Sequence, residues 1–301
     1  MRVIFDKRIL EHAPNCPIEG RYRFQKFEHS GAILKGNEHQ FLVRLHGQPY
    51  LENVINLCNR SVTRKDLEAS PGSYQACLVS TRVVLDAVRD NSFGITRPAG
   101  HHAFKNGEPR GLCFFNNMGV AINELLSMGE KVLILDFDAH HGDGTQNIVQ
   151  EETNVFYFSF HQDNLWPYSG GMNDNGKNYL NLPIPPKTGD ESLQNIMDLF
   201  ERIVSSFSPT RIAISAGFDG YHEDKLAQLG FTERGYEYIG SRIGKIGINS
   251  FALLEGGYHR MVYECTQSLI RGINEKKILD LPTKTKGEII ERVKCLESLL
   301  L

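Results

Sequence analysis

The stretch "LDFDAHHGDG", residues 135–144, sets three aspartates and two histidines within eight residues: Asp136, Asp138, His140, His141 and Asp143. It follows the apolar run "KVLI" (131–134), so the polar cluster stands at the end of a segment that reads as a buried strand. Burying so much charge without partners would cost roughly several kcal/mol per unpaired ion. The cluster must therefore hold a cation, or be held by other polar side chains.

Further along the chain, "NVFYFSF" (154–160), "RIAISAG" (211–217) and "NSFALLEG" (249–256) read as strands of the same kind. Amphipathic helical patterns run over 74–90, 118–129 (after a pair of asparagines suited to capping), 190–207 and 287–300. Strands alternating with helices predict an α/β fold with a largely parallel sheet, as one domain over residues 1–301. Scattered Pro, Gly, His and Arg predict loops over 10–50. Each strand is followed by a polar signature: "DFDAHHGDG", "HQDNLWPYSGG", "FDGYHED" and "EGGYH". Ligands of open α/β sheets bind outside the carboxyl ends of the strands, so the four signatures point to one shared site.

Composition narrows the function classes. Lysines and arginines number 33 against 36 acidic residues, a formal net charge of −3, which speaks against a general nucleic-acid partner. The amino-terminal segment "MRVIFDKRIL" is too interrupted by charge to read as a secretory signal, and no apolar run has transmembrane length. Six cysteines without a CxxC pair read as reduced thiols in a cytoplasmic protein.

Within the clusters, Asp138 and His140 are two residues apart, so on an extended segment both face one side. Asp219, at the end of "AISAGFD", would complete a set of two carboxylates and one imidazole, an open catalytic arrangement for Zn²⁺ or Fe²⁺. "RPAGHHAF" brings His101 and His102. Asp136 and Asp143, beyond the metal set, could each back an imidazole and fix its tautomer. In "EGGYH", Gly256 and Gly257 let the backbone pass close to a ligand and Tyr258 projects a phenol.

"RPAGHHA", "GLCFFNN", "LDFDAHHGDGTQ", "ISAGFDGYHED" and "LEGGY" occur in this order. Together they resemble the zinc-dependent histone deacetylase family, its class II branch most of all, which includes bacterial and archaeal amidohydrolases and acetylpolyamine relatives. The resemblance runs from about 70 to 270, with weaker support in "HAPNCPIEGRYR" (12–23). It implies an arginase–deacetylase fold, Zn²⁺ on Asp138, His140 and Asp219, paired histidines His101 and His102 backed by Asp136 and Asp143, and Tyr258 on the substrate carbonyl. It implies further a structural K⁺ near Asp136, Asp138, His140 and Ser159, and a substrate tunnel with Gly111 and Leu112 on one side, Trp166 opposite, and Gly257 beside the substrate. Leu112 departs from the family, which commonly carries an aromatic there. His161 and His222 read as rim residues. The implied substrate is an acyl-lysine in a peptide or protein, or a small acylated amine, with Glu223 and Asp224 as candidate recognition groups for a polyamine.

Two other readings are weaker. Two-Mn²⁺ ureohydrolases need acidic ligands where this chain has Gly142 and Tyr221. A catalytically silent ligand-binding relative would have lost one of the expected groups, and all are present. Asp138→Ala should therefore abolish both bound metal and turnover, whereas Tyr258→Phe should keep the metal and lose about 3 kcal/mol of transition-state stabilisation, roughly a hundredfold in rate. Metal analysis beside an amidase assay checks both; retained metal in the first variant or an unchanged rate in the second overturns the assignment.

Overall fold

The computed structural model describes residues 1–13, 16–281 and 285–300; Pro14 and Asn15, inside the 12–23 motif, lie outside the described residues. In chain order the strands are β1 (Val3–Ile4), β2 (Thr63–Arg64), β3 (Leu67–Glu68), β4 (Phe93–Gly94), β5 (Val132–Asp136), β6 (Val155–Gln162), β7 (Tyr179–Ile184), β8 (Arg211–Ala216) and β9 (Ser250–Leu254). The helices are α1 (Glu38–His46), α2 (Gln48–Asn59), α3 (Ser73–Asp90), α4 (Asn117–Ser127), α5 (Asp143–Val149), α6 (Leu193–Phe207), α7 (Glu233–Ile246), α8 (Val262–Glu275) and α9 (Gly287–Glu297).

β2 and β3 form a small hairpin; the other seven strands form one sheet in the order β1-β4-β9-β8-β5-β6-β7, every neighbouring pair parallel. Strand alternation builds a core on each face. Leu133 and Leu135 of β5 join Phe156, Phe158 and Phe160 of β6 and the apolar stripes of α6 to α9 on one side. Val132 and Ile134 join Val155, Tyr157 and the helices α1 to α4 on the other. Parallel sheets covered on both faces read as near-continuous apolar runs, which is why these strands are visible in the sequence. α6 is equally legible: Leu193, Ile196, Met197, Phe200 and Ile203 recur at helical spacing and are buried. At α4, the Asn116 side chain accepts the Gly119 N–H at 2.7 Å, an N-cap worth about 1 kcal/mol.

The expected loop over 10–50 is corrected in its second half. Residues 38–46 form α1, and α2 begins at Gln48 across Gly47, whose φ is +83°. Leu42, Leu45, Tyr50, Leu51 and Val54 are buried by this pair. Pro49 and Gly47 look like helix breakers in the sequence, yet proline in the first turn gives up an N–H that has no intrahelical partner anyway.

Strand order locates the site. The chain runs from β5 outward through β6 and β7, then returns to place β8 on the opposite side of β5. The loops after β5 and β8 therefore diverge, opening a crevice at the carboxyl ends of those two strands.

One buried histidine ties α1 to the loops around that crevice. His46, 4% exposed, donates from Nδ1 to the Phe104 carbonyl at 3.0 Å, and its Nε2 accepts the Asn116 N–H at 3.0 Å. Burial lowers its pKa to about 4, and protonation would take away the Nε2 acceptor. The folded state then binds fewer protons than the unfolded chain between pH 6.5 and 4. His46 should cost nothing above pH 6.5, and stability should fall as pH drops toward 4, by up to roughly 3 kcal/mol. Urea denaturation at pH 7 and pH 5 should show a smaller loss in His46→Asn than in wild type; equal losses would remove His46 as the cause.

Candidate metal centre

The crevice between the ends of β5 and β8 brings Asp138, His140 and Asp219 together. One donor atom from each lies within 4.8 Å of the others, the one such group among the described residues. Asp138 and Asp219 are fully buried. His140 Nδ1 stands 3.2 Å from Asp138 Oδ1 and 2.7 Å from Asp219 Oδ2, so a single imidazole is shared by two carboxylates. Their remaining oxygens are fixed by backbone: Gly256 N–H donates to Asp138 Oδ2 at 2.8 Å and Ala139 N–H to Asp219 Oδ1 at 2.8 Å.

The electrostatics are those of a site short of positive charge. Burial, reinforced by the Asp138 carboxylate, lifts Asp219 to about 7. Burial opposes a charged His140, but Asp219 and Asp138 outweigh it and raise this imidazole to about 10. A divalent cation would relieve both. The backbone leaves room for the donors to converge: a Cβ at Gly217 would stand 2.1 Å from Asp138 Oδ2, and one at Gly256 would stand 2.6 Å from Asp138 Oδ2 and 2.7 Å from Asp219 Oδ2. The donor set and the cradle both fit a metal ion. They fit one ion: a Cβ at Gly142 would meet Asp136 Oδ2 at 2.3 Å and the Tyr157 hydroxyl at 2.6 Å, and Tyr221 bonds Glu233 at 3.0 Å instead of facing the cluster.

Beside the triad stand His101 and His102, 3% and 4% exposed, with ring centroids 4.0 Å apart. His101 Nδ1 lies 3.4 Å from Asp136 Oδ2, and that carboxylate also accepts the Tyr157 hydroxyl at 3.0 Å. His102 Nδ1 lies 2.9 Å from Asp143 Oδ1. Burial works against charge on both rings. Asp138 and Asp136 overcome it at His101 and raise its pKa, whereas burial and the neighbouring His101 lower that of His102. The two rings are thus pushed in opposite directions, His101 toward its charged form and His102 toward its neutral form. Burial raises Asp143 to about 6 against the pull of Arg110.

Tyr258 follows Gly256 and Gly257, the latter at φ +109°. Its N–H donates to Asp224 Oδ2 at 2.6 Å, its carbonyl accepts the Tyr22 hydroxyl at 2.7 Å, and Arg23 lies 4.9 Å over its ring. Gly111 and Leu112 form a two-residue turn, both with positive φ (+57° and +63°), closed by paired bonds between Arg110 and Cys113. Trp166 stands directly against this turn: a Cβ at Gly111 would come within 2.4 Å of its ring, and its ring centroid is 4.5 Å from that of His102.

Two sequence expectations are revised. His161 is not a rim residue; it is 2% exposed, bonded by Ser159 Oγ at 2.8 Å and the Gly170 carbonyl at 3.0 Å. Asp224 is not free to recognise a ligand, because both oxygens hold backbone N–H groups, those of Tyr258 and Leu226. His222 is exposed. Sequence reasoning missed Glu255, whose Oε2 accepts the N–H groups of Gly100 and His101 at 2.7 and 3.1 Å. Its signal was the unusual glutamate at a strand end, inside the quoted "LEGGY".

Residues 26–273 match the family described as the histone deacetylase domain. The chain is 31% identical over 258 residues to an uncharacterized protein of Methanocaldococcus jannaschii, covering 79% of this chain and 75% of that one. It is 39% identical over 204 residues to a probable deacetylase of Archaeoglobus fulgidus, covering 64% and 55%. The crystal structure of the HDA15 HD domain superposes with a TM-score of 0.87 at 25% identity, over 100% of this chain and 94% of that one. The sheet and its helical layers are thus those of the arginase–deacetylase fold. Since a methyl at Gly256 would press on both metal-facing carboxylates, Gly256→Ala should weaken divalent-metal affinity about tenfold or more while the protein still folds; metal titration beside a circular-dichroism melt checks this.

Proposed function

The chain belongs to the histone deacetylase family, and from that premise we propose that it is a zinc-dependent amidohydrolase that removes acetyl or another short acyl group from an amine. The observation that supports it best is the placing of two carboxylate-backed histidines beside a donor triad of two carboxylates and one imidazole. Asp138, His140 and Asp219 would hold the zinc ion, which when bound supplies a Lewis acid that polarises an amide carbonyl and acidifies water. Fe²⁺ suits the same donors.

The chain's own groups then divide the work. His102, neutral and oriented by Asp143, takes the proton of the attacking water. His101 delivers a proton to the leaving amine, and Asp136 holds its ring for that transfer. The Tyr258 hydroxyl, kept protonated because burial raises its pKa, donates to the oxyanion that develops on the substrate. Trp166, Gly111, Leu112 and Gly257 would flank the acylated stem. A structural K⁺ near Asp136, Asp138, His140 and Ser159 belongs to the same reading, supported by Ser159 standing opposite Asp136 in the β5–β6 register.

Charge at the rim bears on the substrate. Beside Tyr258 opens a cavity of about 470 Å³ where Glu223 is flanked by Lys225 and Arg260. With Asp224 spent on backbone, this side of the site offers a polycation little net negative charge, and Asp66 on the opposite turn is engaged by the Gly111 N–H, which we take to favour an acyl-lysine or another small acylated amine over an acetylpolyamine. We place the protein in the cytoplasm as one domain over 1–301: the cysteines are free thiols, and no helix among the described residues is long and apolar enough to cross a membrane.

A panel of acetyl- and longer acyl-lysine peptides, N-acetylputrescine and N8-acetylspermidine, each with and without chelator, tests the reading. Chelator-sensitive turnover fastest on an acyl-lysine is expected. Turnover of none by zinc-loaded protein overturns the hydrolase, and a polyamine as best substrate overturns the rim argument alone.

A further inference from the structure

Arg110 lies outside the catalytic groups named so far, yet it touches three parts of the site at once. Its Nη1 is 3.0 Å from Asp143 Oδ2, the carboxylate oxygen that His102 does not use. Its guanidinium carbon stands 5.0 Å over the Trp166 ring and 5.3 Å over the Phe104 ring. Its backbone closes the Gly111–Leu112 turn, with the Arg110 N–H on the Cys113 carbonyl at 3.1 Å and the Cys113 N–H on the Arg110 carbonyl at 2.9 Å. Asp66 braces that turn from the β2–β3 hairpin, its carbonyl accepting the Leu112 N–H at 2.7 Å and its Oδ2 the Gly111 N–H at 3.2 Å.

A carboxylate rotates about its last torsion with little preference. Asp143 can aim one oxygen steadily at His102 only if the other is held. The Gly144 N–H shares Oδ1 with His102, at 3.0 Å, and Oδ2 is left to Arg110. A planar guanidinium lying over two aromatic rings is a firmer anchor than a lysine, which would be a mobile point charge. Leu112 brings no aromatic ring to this turn, and the guanidinium supplies the flat face over Trp166.

We propose that Arg110 is a positioning residue for His102: by pinning Asp143 Oδ2 and stacking on Trp166, it locks the orientation of the general base to the wall of the substrate channel. The proposal rests on the reading of His102 as the base. It predicts that loss of Arg110 affects the chemical step more than substrate binding, and that the wall moves with it.

Trp166 is the only tryptophan of the chain, so intrinsic emission reports that wall without any turnover. Arg110→Met keeps the apolar stem and removes the cation. It should lower kcat about ten- to a hundredfold with KM within about threefold, shift Trp166 emission to the red, and leave bound metal unchanged. Arg110→Ala should regain part of its kcat in millimolar guanidinium chloride, which refills the site, and Arg110→Lys should remain impaired. An active wild type whose Arg110→Met variant keeps kcat within about twofold, changes only KM, or shows unchanged emission overturns the proposal, as does an Arg110→Ala loss that guanidinium does not relieve. A wild type inert on every substrate of the panel instead overturns the hydrolase reading beneath it.

Discussion

Two aspartates, Asp138 and Asp219, are fully buried within reach of one shared imidazole. Buried carboxylates repel each other and have lost the water that would stabilise them, so the segments that carry them need a counter-charge to stay together. Much of the surrounding structure follows from this. Gly217 and Gly256 carry no side chains because any Cβ there would enter the carboxylates. The N–H groups of Ala139 and Gly256 are turned inward, each holding one carboxylate oxygen of the pair.

Around that centre a second layer controls orientation. Asp136 is shared by His101 and Tyr157, Asp143 by His102 and Arg110, and Glu255 holds the backbone of the histidine pair from beneath. Each carboxylate thus has more than one donor, which limits how it can turn and makes the histidines geometrically definite. The asymmetry between the two histidines has the same origin. His101 faces both Asp136 and Asp138, whereas His102, backed by Asp143 alone, also feels His101 and Arg110, so their pKa values are pushed in opposite directions.

The anchoring extends to the amino-terminal segment. Arg97, fully buried, donates to the carbonyls of Ala13 and Glu19, and Arg23 reaches the Glu255 carbonyl at 3.3 Å while covering Tyr258. The segment before the first helix is therefore part of the wall behind Tyr258. In the sequence it shows only as scattered charge and proline, because its order comes from contacts with residues some eighty to two hundred and thirty positions away.

The sequence by itself determined the central strands and the capped helix after Asn116, and it pointed to the residues that the structure gathers into a donor triad with a histidine pair beside it. All of these rest on local signals: unbroken apolar runs where a sheet is buried on both faces, and polar residues at fixed spacing just beyond them. The helices at 38–59 were hidden by glycine and proline tolerated at a helix junction and a first turn. His161 was misplaced at the rim because burial of a histidine depends on what packs over it. Only the tertiary structure decided that β8 lies beside β5, which brings Asp219 to Asp138 across eighty residues, and that Arg110, Asp66, Asp224 and Glu255 act as braces. Partners so distant in the chain are chosen by strand order and packing, and neither leaves a periodic trace in the sequence.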